Sequence, residues 1–337
     1  MMPLLSALIL ASCENKELCF EHMEHATRYE SRVVATYELI WEMPETDGHN
    51  WAANWPTHFD REHSSFNPDM PDGLCVNAYG ANGRNTQRHL RPEGGIVEMA
   101  PGENALLMYN DDTEYIVFDN LHNSVSAKAT TRARSRSGFK GNMLNTQSGG
   151  ESENTVSAPD PLFGYFRPRY VQKPIMEPSE INVMLRPLVF GYYVRFEFAH
   201  GLEYLGVARG AMSGMAGSVY LFDGHTGNDK ATILYDCDIT SWGVEAFVNS
   251  FGIPNYPNNS YSRGSDFYGI SLEVRLKNGK ALQFDFDVSE QVSRQPHGGV
   301  VTVSGIEIDD DTGKEDGSGF DVTVEGWGEF EDVIIDM

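Results

Sequence analysis

The sequence predicts an all-β protein, and two features of the chain support this. Stretches in which apolar and polar residues alternate recur along the chain, and Ser31–Met43 is the first of them. Such alternation of β-branched and aromatic residues is typical of half-buried strands. Turn residues separate these stretches at intervals of about eight to twelve residues, and almost no segment has helical periodicity. We therefore expect strands assembled into a β-sandwich or a β-barrel.

The composition restricts both the size and the partners of the protein. The 337 residues are enough for about two domains. Asp and Glu number 49 against 25 Lys and Arg, which gives a net charge of −24. Because phosphate backbones bind to basic surfaces, this charge argues against a nucleic-acid partner. Hydrophobic residues make up 40% of the chain, so it can form folded cores.

The N-terminal residues have the pattern of a bacterial lipoprotein signal. Met2–Ser12 carry no charge, end in small residues and precede Cys13. This run is shorter than the roughly 20 residues that a membrane-spanning helix needs, but it fits a cleaved secretory signal. We expect residues 1–12 to be the signal, with cleavage between Ser12 and Cys13 and lipid on the Cys13 thiol, which would attach the chain to a membrane. The alternative is a buried N-terminal element with an incidental cysteine.

The remaining chain is predicted to form a tether and two domains. Residues 13–30 are polar and acidic and are expected to be the tether. Proline and aromatic residues concentrate in Pro159–Pro178, where the chain is expected to pass from a domain of residues 31–174 to one of residues 175–337. After Ser31–Met43, the predicted strands are Leu74–Tyr79, Gln87–Leu90, Ile96–Met99, Asn104–Tyr109, Tyr115–Phe118, Ile181–Leu185, Val189–Phe198, Leu202–Ala208, Ser218–Phe222, Ala231–Tyr235, Gly243–Phe251, Tyr268–Leu276, Ala281–Val288, Val300–Ile308, Phe320–Val324 and Phe330–Met337.

Turn sequences predict which strands are neighbours. Asn278-Gly279 is a strong hairpin signal between Tyr268–Leu276 and Ala281–Val288. Similar reasoning pairs residues 87–90 with 96–99, and residues 104–109 with 115–118. Val189–Phe198 is almost continuously apolar and aromatic, which predicts a central strand buried on both faces.

A long irregular segment, Pro44–Gly73, interrupts the strands and contains Trp51 and Trp55. A segment of this length inside a domain is uncommon and often functional. Exposed indoles could stack on a sugar ring, which makes both tryptophans candidate glycan contacts. The interpretation that we favour is that the two rings attach the segment to the sheet.

A basic segment stands out in this acidic chain. Val125–Lys140 has no acidic residue and contains Lys128, Arg132, Arg134, Arg136 and Lys140. It could bind acidic head groups or an acidic partner, or expose a cleavage site. We favour a solvated loop, because charge runs usually face solvent.

Motifs that would indicate catalysis or cofactor binding are missing from the sequence. There is no Gly-x-Ser-x-Gly elbow, no His-Glu-x-x-His, no dinucleotide fingerprint followed by a helix and no Cys/His zinc pattern. Gly210–Gly217 lacks the ending of a phosphate loop and is expected to form a bulge. Asp309–Gly313 is expected to be an exposed acidic turn. Cys75 and Cys237 lie in strand-like runs, which favours packing residues over nucleophiles. The sequence therefore predicts no catalytic residue, no cofactor and no metal site.

The chain resembles the fimbrillin-like lipoproteins of Bacteroides-type bacteria, in particular a group related to fimbrial anchor proteins. The segments that carry the resemblance span nearly the whole chain and are Cys13–Cys19, Leu107–Glu114, Tyr204–Asp223 and the tail around Trp327. The resemblance implies two tandem Greek-key β-sandwich domains of transthyretin-like or immunoglobulin-like type. It also implies a non-enzymatic outer-membrane lipoprotein, lipid-anchored at the cell surface.

In function, the resemblance implies anchoring or assembly of a fimbria, or cell adhesion. Its expected partners are the membrane, through the N-terminal lipid, and fimbrial subunits, through addition of a β-strand. The C-terminal strand, with Val333 and Ile335 on one face, is the candidate strand-exchange interface. The alternative function is that of a surface glycan-binding lipoprotein whose contacts are Trp51 and Trp55.

Overall fold

The computed structural model of the chain describes residues 26–44, 50–135, 154–257 and 267–314. Within these ranges the protein is all-β, as predicted, with eighteen strands in three sheets. Its α-helices here are single turns: α1 (Trp51–Asn54), α2 (Ser289–Ser293) and α3 (Asp310–Lys314). No helix in the described ranges has the length and apolar character required to cross a membrane.

The eighteen strands of the described residues are numbered in chain order. The first ten are β1 (Tyr29–Tyr37), β2 (Leu74–Gly80), β3 (Thr86–Leu90), β4 (Gly94–Met99), β5 (Gly102–Tyr109), β6 (Ile116–Asp119), β7 (Lys128–Thr131), β8 (Asn154–Ser157), β9 (Phe163–Gln172) and β10 (Ser179–Pro187). The others are β11 (Phe190–His200), β12 (Leu205–Ala216), β13 (Ser218–Tyr220), β14 (Lys230–Ile239), β15 (Gly243–Ser250), β16 (Gly269–Leu276), β17 (Ala281–Asp287) and β18 (Gly299–Glu307).

The first sheet has seven strands in the order β3-β2-β5-β9-β10-β1-β4. It includes a parallel pair next to the edge strand β4, in which Val33 of β1 lies opposite Ile181 of β10. Alternate residues of β1 are buried, as the period-two pattern predicts, and Val33 and Ala35 pack in one core with Val97 and Ile181. Burial of each larger side chain of this kind contributes about 1.5–3 kcal/mol.

The second sheet has eight strands, in the order β17-β16-β12-β14-β15-β11-β18 with β8 added to β14. The predicted central strand is confirmed as β11, which lies between β15 and β18 and is buried on both faces over most of its length. Tyr192, Val194 and Phe196 face the main core, while Tyr193 and Arg195 are buried on the opposite side.

A third sheet of three short strands, β13-β7-β6, joins the two larger ones. Its core combines Cys75 and Leu107 of the first sheet with Ala129 and Val219 of the third. Strand pairing also crosses residue 174, because β8 pairs with β14, and β10, which follows this residue, pairs with β1.

Two turn predictions were correct. β16 and β17 form the predicted hairpin around Gly279, whose φ is +86°. The pairing of β12 with β14 shifts register between Met212 and Met215, which is the bulge expected in the glycine-rich run. Gly214 has φ +84° there, and a Cβ on it would lie 2.5 Å from the carbonyl oxygen of Phe267.

Three local predictions were wrong. β1 ends at Tyr37 rather than Met43, because the chain crosses to the second sheet, where the Trp41 carbonyl accepts a hydrogen bond from Gly191 N at 2.7 Å. β3 and β4 touch through one bridge but form their ladders with β2 and β1, and β5 and β6 lie in different sheets. Turn signals identify only strands that are adjacent in sequence. β2 and β3 are such a pair, whereas β4 pairs with the distant β1. The acidic turn at residues 309–313 is instead largely helix α3.

Candidate strand-addition edge and aromatic cluster

β17 forms one end of the second sheet and presents apolar side chains there. It pairs with β16 along its whole length, and no described strand lies on its other side. Leu282, Phe284 and Phe286 are only partly buried, although all three pack against the main core. An edge of this kind offers unpaired backbone groups and a row of apolar side chains to an added strand.

β18 forms the opposite end, and two glutamines occupy its outer backbone groups. The Gln291 amide accepts a hydrogen bond from Thr302 N and donates one to Thr302 O, both at 2.9 Å. The Gln295 amide makes the same pair of bonds to Val300 N and Val300 O, again at 2.9 Å. These side-chain amides take the place of a neighbouring strand, so β17 is the less protected edge.

The indole of Trp51 holds one of these glutamines in place. Its Nε1–H donates to Gln295 Oε1 at 2.6 Å, and the same oxygen accepts the bond from Val300 N. The backbone is close as well, because a Cβ on Gly299, which has φ +151°, would lie 2.0 Å from this oxygen. The segment that follows β1 is therefore linked directly to the start of β18.

Trp51 and Trp55 belong to an aromatic cluster on the outer face of β11 and β15. Its members are in ring contact with one another and comprise Trp41, Trp51, Trp55, Phe59, His63, Phe66, Tyr193 and Phe247. The Trp55 ring lies 6.2 Å from that of Trp51, and its Nε1–H donates to the Arg61 carbonyl at 2.7 Å. Both indoles therefore attach the segment to the sheet, as the favoured interpretation expects.

Buried charges connect the cluster to the sheet. The Arg195 guanidinium lies between two rings, 4.0 Å from the centroid of Phe59 and 3.8 Å from that of Trp242. It donates to the Tyr193 hydroxyl at 3.0 Å, which in turn donates to the buried carboxylate of Glu245. Burial and this bond to Glu245 raise the pKa of Tyr193, so its hydroxyl keeps its proton and remains a donor. These connections favour a structural role for the cluster.

The described part of the basic segment is built into the sheets. Lys128 is in β7, the Arg132 carbonyl accepts from Ser157 N at 3.0 Å, and Arg134 Nη1 donates to the Leu234 carbonyl at 3.2 Å. These residues therefore lie in or beside strands rather than in a loop, while the Arg132 side chain is exposed and Lys128 pairs with Asp119 at 3.8 Å, as the favoured solvated interpretation expects. Arg136 and Lys140 lie outside the described residues.

Several predicted functional residues also lie outside the described ranges. They are Ser12 and Cys13 at the predicted cleavage site, and Val333 and Ile335 in the C-terminal strand. Lipidation, cleavage and strand exchange therefore stay predictions.

The two edge glutamines were not identified from the sequence. Gln291 and Gln295 are four residues apart and are followed closely by a strand, which is the pattern that could have indicated them. Two side chains at this spacing lie on one side of a helical turn and can reach alternate outward-facing residues of one strand.

In the described residues, two large sheets joined by a small one define an all-β protein. The chain belongs to the family described as Domain of unknown function (DUF5119), whose model matches residues 57–236. No curated protein matches the chain.

Solved structures share the fold. The chain is similar to a candidate adhesin from Bacteroides ovatus, with 17% identity and a TM-score of 0.58, over 89% of this chain and 98% of that one. It also matches the fimbrial anchor protein Mfa2 from Porphyromonas gingivalis, with 10% identity and a TM-score of 0.40, over 82% of this chain and 90% of that one. The chain therefore shares its fold with the candidate adhesin from Bacteroides ovatus.

Proposed function

We propose that the protein is a non-enzymatic cell-surface protein that acts in the anchoring or assembly of a fimbria, or in cell adhesion. The observation that carries the proposal is the open edge of β17, where Leu282, Phe284 and Phe286 remain partly exposed. The fold shared with the candidate adhesin from Bacteroides ovatus supports the same function.

In this proposal a strand from a fimbrial subunit adds to β17. Main-chain hydrogen bonds would supply affinity, and alternate side chains would cover the three apolar residues and set the register. The C-terminal strand Phe330–Met337 of this chain is the corresponding donor, with Val333 and Ile335 entering the neighbouring molecule.

The proposal places the protein on the outer membrane. Lipid on Cys13 would anchor it there, and the residues between Cys13 and the start of β1 at Tyr29 would hold the folded part away from the membrane surface. Several acyl chains on one cysteine hold firmly, whereas a single chain binds only weakly.

We also propose that the strands form two tandem Greek-key sandwiches. The division predicted from the sequence lies between residues 174 and 175. The pairing of β10 with β1 supports a first sandwich that extends to Pro187, with the crossover immediately before β11.

Site-specific photo-cross-linking in the native bacterium tests the open edge. A photoreactive residue at Gln283, in the middle of β17, should cross-link to a fimbrial subunit. The matched control places the same residue at Ser304, which is exposed on β18. Equal cross-linking at both positions, or none at Gln283, would contradict the proposal.

A truncation tests the donor strand. Deletion of Phe330–Met337 should abolish incorporation into fimbriae while the purified chain keeps the circular dichroism of a folded β protein. Normal fimbriae from the truncated chain would refute the assignment.

Glycan binding is the less supported alternative. Both indole N–H groups are bonded within the protein, to Gln295 and to the Arg61 carbonyl. A glycan array separates the two functions, because specific binding that is lost in both Trp51→Ala and Trp55→Ala would favour glycan recognition.

A further inference from the structure

Three neighbouring strands of the first sheet bring potential metal ligands together. Cys75 of β2 lies opposite His89 of β3 on one side and opposite Tyr109 of β5 on the other. Asp111 follows two residues after Tyr109. Directly opposed residues of antiparallel strands project from the same face, so the pairing brings Cys75 and His89 side by side. One ligand atom each from Cys75, His89 and Asp111 lies within 4.8 Å of the others.

The chemistry of the three groups is that of a zinc site. A thiolate sulfur, an imidazole nitrogen and a carboxylate oxygen are the three ligand types that zinc accepts, at distances of about 2.0–2.3 Å. Magnesium and calcium prefer oxygen ligands alone, so a site containing sulfur disfavours both. Cys75 and its partners are 14 and 36 positions apart in the chain, which no short motif would reveal.

The surrounding residues support two of the three ligands. Gln87 Nε2 and Asn77 Nδ2 point their hydrogens at Cys75 Sγ, at 3.4 and 3.6 Å, and such donors stabilise a thiolate. Asn110 fixes the turn that carries Asp111, because its Oδ1 accepts from Phe163 N at 2.7 Å. Cys75 and Asp111 are therefore held by neighbours that are not themselves ligands.

The cluster is closed on one side and open on the other. Cys75 is fully buried, whereas the side chain of His89 is 64% exposed and that of Asp111 is 23% exposed. Without an ion, His89 Nδ1 and Asp111 Oδ2 are in hydrogen-bond contact. Entry of a divalent cation would replace the proton between them and remove the proton of the thiol.

We propose that Cys75, His89 and Asp111 bind one zinc ion, with a water molecule completing a tetrahedral site. The ion would fasten β3, β2 and the end of β5 to one another at the border of the first and third sheets. This inference does not depend on the proposed function.

Cobalt substitution tests the site directly. The protein for the test is the full chain with Cys13→Ser, Cys19→Ser and Cys237→Ser, in which Cys75 is the only remaining thiol. One equivalent of Co²⁺ should give a thiolate-to-cobalt charge-transfer band and intense tetrahedral d–d bands, and one equivalent of Zn²⁺ should abolish both. Absence of the bands, or a stoichiometry other than one, would overturn the proposal.

Variants identify the ligands. His89→Ala changes an exposed side chain and should leave the fold intact. It should weaken zinc affinity by about 100-fold or more, which is a larger loss than removal of a residue that only supports a ligand would cause. Cys75→Ala should abolish the charge-transfer band. The matched control is His225→Ala, because His225 also pairs with an aspartate, Asp223, at 2.5 Å, and it should leave zinc affinity unchanged. If His89→Ala binds zinc as tightly as the parent chain, the assignment is wrong.

Discussion

The indole nitrogen of Trp51 lies 2.6 Å from Oε1 of Gln295, although 244 residues separate them in the chain. This bond joins the segment between the first two strands of the first sheet to the last strand of the second. Gln295 in turn occupies the outer backbone groups of β18 at Val300. The segment that connects two strands of the first sheet thus protects an edge of the second, and no described strand covers the opposite edge, β17.

Replacement of Trp51 should loosen this arrangement. Trp51→Phe keeps an aromatic ring but removes the donor to Gln295, so we expect the free energy of unfolding to fall by about 1 kcal/mol. Amide exchange at Val300 should accelerate, because Gln295 loses the bond that fixes its rotamer. Trp55→Phe is the control, since it also loses one hydrogen bond, to the Arg61 carbonyl, but should leave exchange at Val300 unchanged. Unaltered exchange in Trp51→Phe would show that Gln295 holds its position without the indole.

Removal of both edge glutamines should cause the protein to self-associate through β18. In Gln291→Ala/Gln295→Ala the outer groups of Val300 and Thr302 lose their partners, and an unpaired strand edge recruits other strands. We expect concentration-dependent dimers in sedimentation velocity. Arg294→Ala, an exposed change in the same region, should remain as monomeric as the wild type. A double variant that stays monomeric at every concentration would indicate that these glutamines do not guard the edge.

The parts of the fold that were predictable depend on local sequence. The β16–β17 hairpin follows from one Asn-Gly turn, and β11 follows from a run of aromatic and β-branched residues. Most ladders were not predictable in the same way, because β4 pairs with β1, and β5 with β2 and β9, rather than with the strands next to them in sequence. The Cys75 cluster and the Trp51–Gln295 bond depend on those ladders, so the sequence could identify the residue types without placing them together.

Alkaline pH should destabilise the protein through Tyr79. Burial, with a smaller contribution from Cys75, raises the pKa of Tyr79 to about 12, and its hydroxyl donates to the Leu121 carbonyl at 2.7 Å. In the unfolded chain a tyrosine ionises near pH 10. The group whose pKa is raised on folding therefore contributes stability that is complete below about pH 10 and is lost as pH rises toward 12. Denaturant titrations across this range should show a smaller loss in Tyr79→Phe than in the wild type. Parallel curves for the two proteins would contradict the assignment.

Arg209 and Glu273 form a buried ion pair across β12 and β16, and breaking one half should be costly. Arg209 Nε and Nη2 both donate to Glu273 Oε2, at 2.8 and 2.6 Å, and each side chain is only 2% exposed. Arg209→Met would remove both of these bonds from the buried Glu273 carboxylate, so we expect the free energy of unfolding to fall by about 3–5 kcal/mol. The double variant Arg209→Met/Glu273→Leu removes both charges and should recover most of this loss, because apolar side chains of similar size fill the same space without a desolvation cost.

The exposed pair of Arg169 and Glu103 provides the control, since Arg169→Met should change stability by at most about 1 kcal/mol. Chemical denaturation of the wild type and these three variants measures the differences. A double variant as unstable as Arg209→Met would show that the arginine contributes through packing rather than through its charge.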